Sequence, residues 1–412
     1  TALLLSSVVV SSVFATENYQ NTSSADYELE KVLIFSRHGL RSPEVEPQEM
    51  AKYSPYAWAK WDVPPGYLTA KGTVLETYFG QYLGQWLADK GLLTIERCAS
   101  GEGIFVYANG MQRTVATGQA ILAGAFAGCN VQLQHHGKIS SKKDPIFNTK
   151  AHNPSKELIE SAKSNIDLNA LQKKLAPNYA LLSELIDYKN SPNCLQNDKC
   201  DLGGKTGEYN IEDGKSVKIT GSISTSKKII NALLLAHYVG KPSSEIANGK
   251  VDSEEKWRAI NEIKNEYYRT LFKNNKALAQ NASYPLLEFI QQQLNSENKI
   301  SLLVGHDSNV VALLASLGVA PYELEDSLEN TPIGGKLMFE VWKHKPSGKL
   351  KFKLDYVYQS TEQLVKLTPL SLATPPNQTA LTLETCTKDE DGFCDYEQFQ
   401  KVLSEGIENG KK

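Results

Sequence analysis

Two short stretches carry side chains whose types and spacing suit catalysis. The first is Arg37-His38-Gly39-Leu40-Arg41. Two permanently charged guanidinium groups flank an imidazole, and their planar forks match the oxygens of a phosphate or carboxylate. The imidazole between them can serve as a nucleophile or as an acid/base group. Taken alone, an R-H-x-x-R string is more often a basic loop. The second stretch is Gly305-His306-Asp307, a carboxyl group beside an imidazole. Alone, Asp307 or Ser308 serves equally well as a helix cap. A third candidate is Arg113, in Met111-Gln112-Arg113-Thr114. By itself it reads as a surface helix residue.

The segments before these residues change the balance. Apolar runs at 32–35, 103–108 and 299–304 have the length and composition of buried strands. Helical patterns follow the second and third, from 111 to about 126 and over 310–317. Three strands therefore end in Arg-His, Arg and His-Asp. In open α/β sheets the carboxyl ends of strands line the ligand crevice, and helix N-termini there favour anions. A further helix is expected over 74–87. Strands at 336–342 and 351–358 are joined by a hairpin at 344–348, the segment 366–384 is extended, and a last helix covers 395–406. Residues 44–65 read as an irregular loop rich in Pro, Tyr and Trp.

Residues 135–260 have another texture. Helical periodicity at 155–175, 179–188, 226–239 and 253–273 alternates with polar loops, and 202–214 reads as an exposed, charged loop. This is expected to be a helical insertion over 133–260, interrupting an α/β unit made of 16–132 and 261–412. His135, His136, His152 and His237 lack the spacing of metal ligands, and 388–392 lacks the acidic pattern of a calcium loop.

The chain has 412 residues, 41% hydrophobic and 22% charged, with a net charge of −3. This is an ordinary globular composition without the basic excess of a nucleic-acid binder. Residues 2–15 resemble the apolar and cleavage regions of a secretory leader whose basic start is missing, and 1–15 are read as its remnant. They are too short to span a bilayer. Six cysteines in an exported chain imply disulfides. They fall into three sequential pairs, expected as Cys98–Cys129, Cys194–Cys200 and Cys386–Cys394.

R-H-G-x-R-x-P at 37–43, followed far downstream by His306-Asp307 after a strand, resembles the two signatures of the histidine acid phosphatase family. Arg113, in Gln112-Arg113-Thr114, matches the family's third arginine. The likeness covers nearly the whole chain after the leader. Trp61-Asp62-Val63-Pro64-Pro65-Gly66, Thr331-Pro332-Ile333-Gly334-Gly335-Lys336 and Asp391-Gly392-Phe393-Cys394 look most like the family's bacterial periplasmic glucose-1-phosphatase branch. Related periplasmic phytases share the signatures.

The resemblance implies an α/β fold, phosphoglycerate-mutase-like, with a central mixed sheet flanked by helices and a smaller inserted helical domain. It implies two-step hydrolysis of a small phosphomonoester without metal or other cofactor, in the periplasm, with no nucleic-acid or membrane partner. The oligomeric state stays open. His38 would be the nucleophile that takes the phosphoryl group. Arg37, Arg41 and Arg113 would hold phosphate oxygens, His306 would complete the pocket, and Asp307 would give the leaving oxygen its proton. Nearby positive charge would keep His38 neutral at acid pH.

Glucose 1-phosphate is the expected substrate, with a phytase or broad acid phosphatase as the alternative. A phosphosugar-binding protein without turnover would have no need of Asp307. A mutase-like transferase would pass the phosphate to a sugar. Specificity must come from the leaving-group side, and the exposed loop after Cys200, which carries Asp201, Glu208, Glu212 and Asp213, is expected to overhang the cleft there. Glu212 is the first choice for a carboxylate that accepts from sugar hydroxyls, and Glu208 the second.

Overall fold

The computed structural model of the chain describes residues 26–140, 144–272 and 274–412. The expected leader remnant lies outside the described residues. Among the described residues ten strands occur in chain order: β1 (Tyr27–Arg37), β2 (Ile104–Ala108), β3 (Leu133–His135), β4 (Tyr209–Asn210), β5 (Lys218–Ile219), β6 (Ile300–Gly305), β7 (Lys336–His344), β8 (Leu350–Tyr358), β9 (Asn377–Leu381) and β10 (Cys394–Asp395). Eight of them form one mixed sheet in the order β10-β8-β7-β1-β6-β2-β3, with β9 also on β8, and β4 pairs with β5 as a separate hairpin.

The sheet centre explains the unbroken apolar runs. β1 alternates its side chains between two covered faces. Val32 and Ile34 pack with Phe79, Leu83 and Leu87 of helix Ala70–Asp89 and with Val115 and Ile121 of helix Gln112–Ala125. Leu33 and Phe35 face Leu287 and Ile290 of helix Lys276–Asn295, Val310 and Leu313 of helix Asp307–Leu317, and Phe399 and Leu403 of helix Tyr396–Gly410. The mixed sheet flanked by helices agrees with the sequence reading.

Parallel pairing brings the motif-bearing ends together. β6 lies between β1 and β2, parallel to both. Arg37 stands opposite Gly305, and Ala108 opposite Val304. On the other side β7 runs antiparallel to β1, with Ser36 opposite Lys336. The segment before β7 therefore also reaches the ends of β1 and β6.

Between β3 and β6 the chain is mostly helical. The periodic stretch 155–175 is two helices, Lys156–Ser164 and Leu168–Lys174, because Asp167 caps the second by accepting from the backbone of Asn169 and Ala170. Helices Ala176–Leu185, Ser222–Val239 and Glu254–Leu271 share one core with Leu40, Met50 and Leu75. The loop at 202–214 is less exposed than its composition suggests. Leu202, Tyr209 and Ile211 are buried in that core, and the Tyr209 hydroxyl donates to the Leu271 carbonyl at 2.5 Å. Helix Lys276–Asn295 has no counterpart in the sequence reading. Its Asn, Gln and Ser residues and the internal Pro285 blur the period, while burial of Leu278, Leu286 and Ile290 holds it in place.

The three disulfides are Cys98–Cys129, Cys194–Cys200 and Cys386–Cys394, the sequential pairs. No helix among the described residues is long and apolar enough to cross a membrane.

Candidate active site

The site is built where β1, β6 and β2 end. The His38 amide donates to the Gly305 carbonyl, and the Asn109 amide donates to that of Val304, each at 2.9 Å. These bonds extend the sheet by one residue and seat both motifs side by side. Gly334 N donates to the His38 carbonyl at 3.1 Å, and the Arg37 amide donates to Gly335 O at 2.9 Å, so the loop before β7 closes the same floor.

His38 is buried, and its Nδ1 lies 2.9 Å from the Gly39 carbonyl. A carbonyl only accepts, so Nδ1 carries the hydrogen of that bond and Nε2 keeps its lone pair. Burial, then the charges of Arg113, Arg41 and Arg37, hold the His38 imidazole well below its usual pKa. The ring is therefore neutral, with one nitrogen free.

Gly39 is required here by close approach. A Cβ on it would meet Glu76 Cγ at 2.7 Å, and its amide donates to Thr117 Oγ1 at 2.8 Å. Glu76 is itself buried and paired at 2.9 Å with the buried Lys336. This pair braces the turn that carries His38.

The three arginines converge on the same place from different elements. Arg37 is fully buried at the end of β1. Its Nη2 lies 3.2 Å from Asp307 Oδ2, its Nη1 lies 3.2 Å from Glu329 Oε1, and Nη1 also donates to the Thr331 carbonyl. Arg41 is held by an Nη1 bond of 2.7 Å to the Ser42 carbonyl. Arg113 sits in the first turn of helix Gln112–Ala125. Burial, and then repulsion from Arg41, push its pKa down to about 10. The Nε atoms of all three arginines are buried without a hydrogen-bond partner among the described residues. A buried donor left unmet costs about 1–3 kcal/mol. Unmet donors on three converging cations make a strong demand for an anion.

His306 caps helix Asp307–Leu317, where Asn309 Oδ1 accepts from the His306 amide at 3.0 Å. Its Nε2 lies 3.2 Å from Asn109 Oδ1, and its ring centre is 5.6 Å from that of His38. Burial, then Arg113, push its pKa down to about 3. Asp307 accepts from the Tyr268 hydroxyl at 2.8 Å and from the Ser308 amide at 2.8 Å. Burial alone would raise its pKa, but the charge of Arg37, then that of Lys227 and the hydrogen bond from Tyr268, hold it well below the usual carboxylate range.

Six of the seven residues singled out by sequence are therefore drawn into one cluster: Arg37, His38, Arg41, Arg113, His306 and Asp307. Glu212 is exposed, and its carboxylate pairs with Lys215. Sequence reasoning misses Tyr268, Glu329, Lys264, Lys227 and Glu44. Lys264 pairs with Glu329 behind Arg37, and Lys227 lies 3.6 Å above the Tyr267 ring. Tyr268 and Lys264 sit in an ordinary amphipathic pattern. Only the acidic turn before Thr331 marks Glu329.

Comparison with known proteins agrees with this arrangement. A curated glucose-1-phosphatase of Providencia rettgeri is 38% identical over 392 residues, covering 94% of each chain. A glucose-1-phosphatase of Salmonella typhimurium is 34% identical, covering 97% of this chain and 98% of that one. Among solved structures, Hafnia alvei phytase superposes with a TM-score of 0.85 at 29% identity, covering 94% of this chain and 98% of that one. The family profile described as Histidine phosphatase superfamily (branch 2) matches residues 28–368, and with the curated relatives this shows that the chain belongs to that superfamily, among its acid phosphatases.

Proposed function

We propose that the protein hydrolyses glucose 1-phosphate in the periplasm, through a phosphohistidine on His38. The observation that carries this reading is a neutral imidazole with Nε2 free, set among three buried guanidinium groups. Phosphoryl transfer depends on positioning and charge stabilisation more than on elaborate bonding. Arg37, Arg41 and Arg113 hold the phosphate oxygens, and His306 completes their ring. His38 Nε2 forms the bond to phosphorus as the ester P–O bond breaks, and the leaving oxygen takes a proton from Asp307. Water then attacks the phosphohistidine. It gives a proton to the Asp307 carboxylate, the P–N bond breaks, and inorganic phosphate leaves.

Asp307 is ionised in the free site, so its proton has to arrive with the substrate. A phosphate monoester loses its second proton near a pKa of about 6, so below that pH it carries one. Its phosphate also offsets the charge of Arg37, which favours transfer of that proton to Asp307. Activity at acid pH follows from this accounting.

Two curated glucose-1-phosphatases at 34–38% identity favour a sugar phosphate. A phytase reading is favoured by the Hafnia alvei structure and by Phytase AppA of Escherichia coli, 28% identical over 408 residues. Both use the same chemistry. The three disulfides support an oxidising compartment. We also read 133–260 as a helical insertion over the catalytic unit made of 16–132 and 261–412, with Glu212 facing the leaving group. Hydrolysis of glucose 1-phosphate, inositol hexakisphosphate and an aryl phosphate by the purified protein is the direct test. Release of phosphate from none of them overturns the reading, and a preference for the hexakisphosphate selects the phytase alternative.

A further inference from the structure

The three arginines are not equally neutralised. Arg37 has two carboxylate partners, Asp307 and Glu329, each at 3.2 Å. The remaining two share a single carboxylate oxygen. Glu44 Oε1 lies 3.0 Å from Arg113 Nη2 and 4.0 Å from Arg41 Nη2. The arginine side chains are 11% and 7% exposed, while that of Glu44 is 58% exposed. Glu44 thus lies on the solvent side of both arginines.

Its position is built by the fold. Pro43 follows the Arg37–Arg41 motif, and its carbonyl accepts from the Gly66 amide at 2.9 Å. Gly66 has a φ of +77°, and a Cβ placed on it would sit 3.5 Å from both Glu44 Cγ and Arg113 Nη1. The 43–66 loop is therefore pinned against the same pair of side chains that its first residues bring together.

We propose that Glu44 is a resident counter-anion of the phosphate pocket, and that an incoming phosphate must displace its carboxylate from Arg113 and Arg41. The inference rests on the pocket reading above and adds a residue outside the signature motifs. Two adjacent buried cations repel each other, and an anion between them relieves that repulsion. An exposed carboxylate is a weak partner that gives way readily. Glu44 would thus keep the pocket from holding inorganic phosphate, its own product, too tightly. It also presents negative charge to any further phosphate groups on a substrate.

The test is the competitive inhibition constant of inorganic phosphate, measured for the wild type, Glu44→Gln, Glu44→Ala and Arg41→Ala. The glutamine variant keeps the shape and removes the charge. Its constant should fall by about 3- to 10-fold, within the range of a displaced exposed ion pair. The alanine variant should fall alike, and Arg41→Ala should raise the constant. Constants for both Glu44 variants within twofold of the wild type, or above it, overturn the proposal. If Arg41→Ala still raises the constant in that case, the pocket reading stands and only the role of Glu44 fails. Absence of competitive inhibition in the wild type overturns both.

Discussion

The Arg37 guanidinium lies 3.2 Å from the Asp307 carboxylate, across a sequence separation of 270 closed by one parallel strand pairing. The contact joins the two signature motifs into one charge system. It also holds the proposed proton donor ionised until a phosphate engages Arg37.

The role of Asp307 follows from that contact. Asp307→Asn should leave phosphate binding nearly intact, because the arginines remain. Turnover of glucose 1-phosphate should fall by about 10²–10⁴, the usual worth of general acid catalysis. An aryl phosphate with a good leaving group should lose less. In the wild type, kcat/KM should fall above a pH of about 6, where the substrate loses the proton that Asp307 needs. Equal losses for both substrates, or activity that rises above that pH, would count against the assignment.

His38→Ala should abolish turnover, because His38 is the proposed acceptor of the phosphoryl group. Acid quench of the wild type with labelled substrate should leave phosphate on His38. Since the His38 and His306 pKa values are both depressed, the latter to about 3, no ordinary histidine ionisation should appear as an acid limb near 6.5. Label on a serine would sink the nucleophile.

Glu340 offers a test of stability against pH. It is buried on β7, where burial, then the charge of Asp355, raise its pKa from 4.5 to about 7. A carboxyl group with a raised folded-state pKa binds a proton more tightly folded than unfolded. The folded state is therefore favoured below 4.5, and that advantage is lost as pH rises towards 7. Glu340→Gln should flatten this part of the curve in urea titrations. An unchanged slope would show that the group is already ionised in the fold.

Reductant should lower the thermal midpoint. Cys98–Cys129 spans a sequence separation of 31, for which chain entropy alone gives about 3–4 kcal/mol. EDTA should leave activity unchanged, because the guanidinium groups stabilise the charge on the phosphoryl group. Strong inhibition by EDTA that a divalent ion reverses would contradict this reading of the site.

Glu212→Ala should lower the ratio of kcat/KM for glucose 1-phosphate to that for inositol hexakisphosphate, if its carboxylate accepts from sugar hydroxyls. Its ion pair with Lys215 is exposed, so the change should cost little stability. A ratio unmoved by Glu212→Ala and Glu208→Ala would take the loop out of specificity.

The sequence by itself determined five of the strands, β1, β2, β6, β7 and β8, and the motif residues. Arg37, His38, Arg113, His306 and Asp307 each lie just past an apolar run, and strand ends and turn residues are local signals. Sequential cysteine spacing was enough to pair the disulfides. Only the tertiary structure decided which groups hold the arginines. Glu329 and Glu44 reach Arg37 and Arg113 over 292 and 69 residues, and no local pattern encodes such a contact. The same holds for Gly39. The sequence marks it as a turn, whereas packing against the Glu76–Lys336 pair leaves it no room for a side chain. Parallel pairing, which joins segments far apart in the chain, positions the chemistry and is invisible to any window of neighbouring residues.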